Sequence, residues 1–121
     1  MSLNKGQELS FTKADRLNSA SQYAGVFKGA KRSTDNFFTV LVKKKTLSKA
    51  RLGLAIAKKS VKRAVKRNLI KRVIRESFRQ RKATLFGCDF VVLCRNKAAT
   101  ATKKELALSI QQHWEKLIIN E

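Results

Sequence analysis

The chain has 121 residues, the size of one domain with a single buried core. Its apolar fraction of 43% and its seven Phe residues exclude an intrinsically disordered protein. The 28 Lys and Arg against 8 Asp and Glu give a formal charge of +20, which repels itself unless a polyanion is nearby, so nucleic acid is the expected partner.

Membrane association is not expected from this sequence. The N-terminal region lacks the apolar core of a signal peptide, no window has the length of a membrane span, and neither an amphipathic surface helix with a large aromatic face nor a lipidation signal is clear. Cys88 and Cys94 would lie about 20 Å apart along a strand, beyond disulfide reach. Both are expected to be buried thiols in a reducing compartment, so we predict a cytoplasmic protein.

The N-terminal segment 1–15 shows no hydrophobic period and is interpreted as extended and partly mobile, with Leu9 and Phe11 docked on the core. The remainder, 16–121, is predicted to be a single RNA-binding α/β domain.

A short helix opens this domain. Ser19 begins a Ser-x-x-Gln capping box, and Tyr23, Val26 and Phe27 follow at helical spacing before Gly29, which predicts a helix over 20–28.

The turn-like stretch "GAKRSTDN" then leads to two runs that are predicted to be neighbouring antiparallel strands, at 37–45 and 51–57. Side chains alternate along the second run, so its small residues share one face and its large residues share the other. The small residues are Gly53, Ala55 and Ala57, and the large ones are Leu52, Leu54 and Ile56.

Three further elements complete the chain. Ser60 is predicted to cap a helix that begins at Val61 and runs to about residue 82. The near-continuous apolar run at 88–95 suits a strand buried on both faces. A second capping box, Thr102-x-x-Glu105, opens a last helix that extends to about residue 119. The apolar stripe of this helix contains Leu106, Ile110, His113, Trp114, Leu117 and Ile118.

The element order is therefore α-β-β-α-β-α, and an additional short strand near the N-terminus stays open. This order predicts an α+β fold, a two-layer α-β sandwich.

The stretch 57–81 holds eleven Lys or Arg and one carboxylate, yet its charges and its apolar residues separate on a helical wheel. Its apolar arc contains Leu69, Ile70, Val73, Ile74 and Ser77. We define its opposite face as the basic ridge: Arg63, Arg67, Asn68, Lys71, Arg72, Arg75 and Arg79, with Lys58 and Lys59 at its entrance. A solvated helix face normally intersperses Glu with Lys, and this one offers only Glu76, so phosphate contact is the better explanation. Val61 and Val65 break the separation and are expected to pack against a loop or a strand end.

The segment "RLGLAIAKKSVKRAVKRNLIKRVIRESFR", residues 51–79, closely resembles the signature of the protein component of bacterial ribonuclease P. The positions that match are Arg51, Gly53, Leu54, Lys58, Lys59, Arg63, Arg67, Asn68, Lys71, Arg72, Arg75, Glu76 and Phe78. "SQYAGVFKGA" and "DFVVLCRNKAA" are also similar to the family, so the resemblance covers most of the chain from Arg16 onward. Leu69 departs from it, because the family usually has Arg there.

The resemblance implies an α-β sandwich with a left-handed β-α-β crossover around the basic helix. It also implies that the protein binds a large catalytic RNA and that the holoenzyme removes the 5′ leader from precursor tRNA. The basic ridge would contact the catalytic RNA, and magnesium ions carried mainly by that RNA would perform the chemistry. No DNA partner is expected.

The resemblance further places Tyr23 and Phe27 in a central cleft for the single-stranded leader. Stacking of unpaired bases on aromatic rings tolerates any sequence, which suits an enzyme with many substrates. Phe38 and Val40 share one face of their strand and are predicted to line the same cleft, beside the room left by the small residues of the next strand.

Catalysis by the protein itself is not expected, because a protein nuclease needs clustered carboxylates or a histidine with a partner. Six carboxylates lie on predicted ends, loops or exposed helix faces: Glu8, Asp15, Asp35, Glu105, Glu115 and Glu121. Asp89 and Glu76 are unpaired in sequence, and His113 is expected to be packed and hydrogen-bonded. No catalytic or metal-binding residue is therefore predicted.

Two alternatives remain open: a ribosomal or other RNA-packaging protein with no role in cleavage, and a self-sufficient protein nuclease.

Overall fold

The computed structural model describes residues 15–17, 19–28, 31–44 and 49–119. These contain helix α1 (Ala20–Phe27), strands β1 (Lys31–Thr34), β2 (Phe38–Lys44) and β3 (Arg51–Ala55), helix α2 (Ala64–Gln80), strand β4 (Cys88–Cys94), a 3-10 helix (Asn96–Thr100) and helix α3 (Lys103–Ile119). The predicted α+β class is confirmed. The order contains one more strand than predicted, because β1 lies within the stretch interpreted as a turn.

One mixed sheet joins the strands in the order β1-β2-β4-β3. β2 pairs antiparallel with β1 and with β4, and β3 pairs in parallel with β4. The prediction that β2 and β3 are neighbours is therefore wrong, since β4 inserts between them. The near-continuous apolar run of β4 suits this central position, and its first five residues are buried. Helix α2 connects β3 to β4 and forms the β-α-β unit that the resemblance implies.

The main core lies on one face of the sheet, which we call the core face. Helices α2 and α3 cover it, and their apolar stripes pack against Phe38, Val40 and Phe90. Trp114 is fully buried at the centre, with its ring centroid 5.1 Å from that of Phe90 and its indole nitrogen donating to Ser77 Oγ at 2.8 Å. The predicted two layers of sheet and helices are present here.

The opposite face of the sheet, which we call the α1 face, is covered in part by α1. Val26 of this helix packs with Leu17, Leu41 and Val91 in a second, smaller cluster. The capping box predicted at the start of α1 is confirmed, because the amide of Gln22 donates to Ser19 Oγ and the amide of Ser19 donates to Gln22 Oε1.

The start of α2 differs from the prediction. The helix begins at Ala64 after Arg63, which makes no side-chain cap, so the prediction that Ser60 caps a helix from Val61 is wrong. Val61 precedes the helix and is 1% exposed in the main core, whereas Val65 is 82% exposed and packs against nothing comparable. The expectation of packing is therefore wrong for Val65, which lies on the solvent side where the helical wheel places it, whereas Val61 is packed.

The N-terminal segment is described only at its end, so the predicted docking of Leu9 and Phe11 lies outside the described residues. Asp15 is fully buried, 3.0 Å from Lys82 Nζ and 3.6 Å from Lys49 Nζ. The expectation that Asp15 lies on an exposed end of the chain is wrong, because the residue is buried and forms two ion pairs with the domain. Both cysteines are free, and burial raises the pKa of the Cys94 thiol to about 11.

His113 is 3% exposed and joins α3 to the start of the sheet. Its Nδ1 lies 2.7 Å from Ser33 Oγ, and its Nε2 lies 3.2 Å from Asp35 Oδ2. Burial lowers the pKa of His113 despite the carboxylate. Burial would raise the pKa of Asp35, but hydrogen bonds from Ser109 and from the amides of Phe38 and Phe37 lower it. The predicted packed role of His113 is confirmed.

The lowered pKa of His113 predicts a pH dependence of stability. As pH falls below about 6.5, the unfolded chain binds a proton that the folded chain accepts only at lower pH, so the free energy of unfolding decreases. One proton limits this slope to about 1.4 kcal/mol per pH unit. Urea titrations between pH 7.5 and 5.5 measure it.

His113→Gln is the matched control, since the chain has no other histidine. The variant should show a flatter profile in this range. An equal slope in both proteins would contradict the assignment.

Candidate nucleic-acid interface

The centre of the basic ridge is one shallow groove on the solvent side of α2. The groove has a volume of about 380 Å³. It is lined by Asn68, Lys71, Arg72, Arg75 and Arg79 of the predicted ridge, together with Glu76. Ile70, Val73 and Ile74 are buried on the other side of the helix, so the predicted separation of charged and apolar faces is confirmed.

The rest of the predicted ridge lies elsewhere. Lys59 and Arg63 line a different groove at the start of α2. Arg67 donates from Nη1 to the carbonyl oxygens of Val61 at 2.9 Å and Lys62 at 2.8 Å, so it stabilises the bend that leads into the helix. Lys58 is exposed in the preceding turn. The ridge is thus a central groove with cations spread around its N-terminal end.

Electrostatics within the groove are dominated by positive charge. The hydrogen bond from Arg79 lowers the pKa of Glu76 and keeps its carboxylate ionised, so one charge in the groove is neutralised. Burial, followed by repulsion from Arg16, lowers the pKa of Arg75, whose guanidinium still remains charged at neutral pH. The remaining charged side chains that line the groove, Lys71, Arg72 and Arg75, are positive, which favours an anion there.

The second predicted surface includes the aromatic side of α1. Tyr23 is half-buried and lies directly over Gly53, where an added Cβ would be 2.6 Å from its Cε2. Phe27, one turn further along α1, is 50% exposed. Beside them the sheet row formed by Thr39, Leu93 and Ala55 stays partly open. The small strand face predicted around Gly53 therefore leaves room for an aromatic ring.

Phe38 and Val40 do not belong to this surface. Both are 0% exposed and pack in the main core, on the opposite face of the sheet from Tyr23. Their assignment to the cleft is wrong, because the register of the sheet turns the alternate residues Thr39 and Leu41 toward α1. Thr39 of β2 and Leu93 of β4 were not predicted for this surface, because alternation along the two strands identifies them only once the face that carries Tyr23 is known.

The described acidic groups do not form a catalytic cluster. Asp89 accepts a bidentate contact from Arg51, at 3.0 and 2.8 Å, and Glu115 faces Arg81 at 3.4 Å. Within the described ranges, no three His, Cys, Asp or Glu side chains are grouped so that they could hold a metal ion. In the same part of the chain no helix is long and apolar enough to cross a membrane.

A small α+β protein with a cationic helix groove and an open aromatic sheet face has the features of a nucleic-acid-associated protein. Comparison with known proteins narrows this class. The family model "Ribonuclease P" matches residues 11–118. The chain belongs to the family of ribonuclease P protein components, which serve tRNA processing.

Individual relatives agree with the family match. The ribonuclease P protein component of Methylococcus capsulatus is 41% identical over 90% of this chain and 85% of its own. The Staphylococcus aureus ribonuclease P protein structure has a TM-score of 0.77 at 29% identity and covers 87% of this chain and 95% of its own. The Thermotoga maritima protein has a TM-score of 0.64 at 28% identity, with 80% and 96% covered. The resemblance drawn from residues 51–79 is confirmed.

The close contact between Tyr23 and Gly53 predicts that a change from Gly to Ala has opposite effects on the free energy of unfolding at Gly53 and at Gly25. Gly53→Ala should lower the free energy of unfolding by about 1–3 kcal/mol, because the new methyl forces the ring of Tyr23 away. Gly25→Ala, inside α1 with nothing within 4 Å of its Cβ, should raise it by about 0.5–1 kcal/mol. Urea denaturation measures both.

A double-mutant cycle tests the cause. In a Tyr23→Ala background the Gly53 substitution should lose most of its cost, since the ring is absent. An unchanged cost would show that another contact is responsible.

Proposed function

We propose that this chain is the RNA-binding protein subunit of a ribonuclease P ribonucleoprotein. It assists the RNA-catalysed, magnesium-dependent endonucleolytic removal of the 5′ leader from precursor tRNA, in the cytoplasm. The family match over residues 11–118 is the observation that carries this proposal. The charge of +20 and the two surfaces described above support it.

The basic ridge would bind the catalytic RNA. Arg72 and Asn68 are exposed, and Lys71, Arg75 and Arg79 are half-buried along one groove, so several phosphates can be contacted at once. Arginine contacts phosphate in a bidentate manner, and each neutralised phosphate releases condensed counterions. The binding free energy therefore depends strongly on salt.

The α1 face would bind the single-stranded leader. Tyr23 and Phe27 offer aromatic rings, and the adjacent sheet row offers the small or apolar side chains of Ala55 and Leu93 beside the single hydroxyl of Thr39. Stacking of this kind accepts any base. It therefore suits a substrate class in which the leader sequence varies.

The chemistry is assigned to the partner RNA and its magnesium ions. The described carboxylates do not fit a protein-held metal, because Asp15, Asp89 and Glu115 are each engaged by a Lys or Arg side chain. His113 is buried between Ser33 and Asp35, away from solvent. The contribution of the protein is thus to bind and orient RNA.

The proposal is tested with a 5′-labelled precursor tRNA at low magnesium, incubated with the protein, with a bacterial ribonuclease P RNA, and with both. We expect one cut at the mature 5′ end that requires the RNA and is strongly stimulated by the protein. Cleavage by the protein alone would identify a protein nuclease. RNA binding without stimulation would identify an RNA-packaging protein.

Arg72→Ala tests the ridge. It should weaken binding to the catalytic RNA and reduce the slope of log K against log salt by about one, because one phosphate contact is lost. Lys104→Ala removes an equally exposed cation from α3 and serves as the control, with an unchanged slope. Equal losses in both variants would show that only net charge matters. Filter binding across a salt series measures the slopes.

Phe27→Ala tests the α1 face. It should weaken binding of precursor tRNA with a long leader by about 1–3 kcal/mol, the contribution of one stacked base, and leave binding of mature tRNA unchanged. Phe86→Ala is the matched control, because Phe86 is 52% exposed against 50% for Phe27 but lies in the turn after α2. Competition binding to the assembled holoenzyme measures the difference. A leader-independent loss would overturn the assignment.

A further inference from the structure

A second groove, distinct from the one in the basic ridge, lies at the N-terminal end of α2. It has a volume of about 590 Å³ and is bounded by α2 on one side and by the 3-10 helix on the other. Val65 and Leu69 of α2 and Ala99 of the 3-10 helix give it apolar walls, and Lys59, Lys62 and Arg63 stand at its rim. On α2, Val65 and Leu69 are one turn apart, and they line this groove, whereas Arg72 and Arg75, further along the helix, line the ridge groove.

The most open part of the apolar walls, Val65, does not contribute to the core. Val65 is 82% exposed, the highest value among the exposed large apolar residues described. A β-branched side chain at an exposed helical position contributes little to helix stability. Leu69 and Ala99 are only partly buried against the core. An apolar surface with this exposure inside a ring of cations is therefore available to a ligand that is flat and apolar in one part and anionic in another.

The width of the groove is fixed by a polar contact. The ammonium group of Lys66 donates to the carbonyl oxygen of Ala101, at the end of the 3-10 helix. This contact joins the two walls directly, since Lys66 follows Val65 in α2. The groove is thus held open by the fold and does not depend on a ligand to form.

We propose that this groove binds an unstacked nucleobase together with its 5′ phosphate, supplied by the RNA partner. The base lies between Val65, Leu69 and Ala99, and the phosphate lies against Lys59, Lys62 and Arg63. The lining contains no carboxylate that would repel the phosphate. The identity of the partner as RNA rests on the proposed function, but the chemistry of the site is a property of the groove itself.

The cations and the apolar walls of this groove recognise different parts of the ligand. The cations contact any phosphate. The apolar walls bind only a base that is not stacked on its neighbours, as in a bulge or a loop. The groove would therefore select an irregular part of a folded RNA, while the separate ridge groove around Arg72 and Arg75 contacts the RNA backbone.

A pair of small ligands tests the groove without any catalytic RNA. Adenosine 5′-monophosphate and ribose 5-phosphate carry the same phosphate, and only the first has a base. In the full-length protein we expect adenosine 5′-monophosphate to shift the methyl resonances of Val65 and Leu69 in a saturable manner. Ribose 5-phosphate should leave these methyl resonances in place. Equal shifts with both ligands would overturn the proposal and leave a plain anion site.

Substitutions at Val65 test whether the same groove contributes to binding of the partner RNA. Val65→Ser should weaken binding of a bacterial ribonuclease P RNA about three- to tenfold, and Val65→Phe should strengthen it by a similar factor through stacking. Because the side chain is exposed, neither change disturbs the core. Leu108→Phe is the control, since Leu108 is 55% exposed on α3, away from the groove.

The outcomes distinguish this inference from the proposed function. If both Val65 variants bind the RNA like the unchanged protein while cleavage is still stimulated, the base site is overturned and the subunit role stands. If the nucleotide shifts Val65 but no cleavage is stimulated, the base site stands and the subunit role fails.

Discussion

Two parallel strands that lie side by side cannot be joined by a tight turn, and this constraint governs the molecule. β3 and β4 pair in parallel from Arg51 and Asp89 to Ala55 and Leu93, so the chain must cross one face of the sheet between them. Helix α2 is that connection. Its apolar side packs against the core face of the sheet, and its other side therefore faces solvent. The topology of the sheet therefore places the cations of the ridge along one solvent-facing side of the helix.

The same arrangement leaves the opposite face of the sheet thinly covered. Helix α1 has eight residues and buries only Val26, so it protects Leu41 and Val91 and leaves the neighbouring row partly open. The absence of a side chain at Gly53 lets Tyr23 approach the sheet closely. One face thus holds the main core, and the other, with a smaller cluster, is the surface that we propose for the single-stranded leader.

Local sequence patterns predicted most of the helices and strands. They did not predict which strands pair or which face of the sheet each side chain occupies. Both capping boxes are present, since the amide of Glu105 donates to Thr102 Oγ1 and the amide of Thr102 donates to Glu105 Oε1. β1 was missed because the sequence "KRST" has no apolar alternation, and its only buried residue is Ser33. The faces of Phe38 and Val40 were misassigned because alternation defines two faces but does not say which one carries α1. Burial of Val61 was not predicted by the helical wheel, because Val61 precedes the helix, which begins at Ala64.

The edges of the two outer strands, β1 and β3, are protected from pairing with other molecules in two ways. The amide of Leu17 donates to the carbonyl oxygen of Leu52 at 3.1 Å, and Arg16 bridges to the same residue, so the chain itself occupies part of the outer edge of β3. β1, at the other edge, is only four residues long and carries exposed Lys31 and Arg32. Short, charged or occupied edges resist strand addition from other molecules. Aggregation through backbone pairing at these two edges is thereby disfavoured without any help from a bound partner.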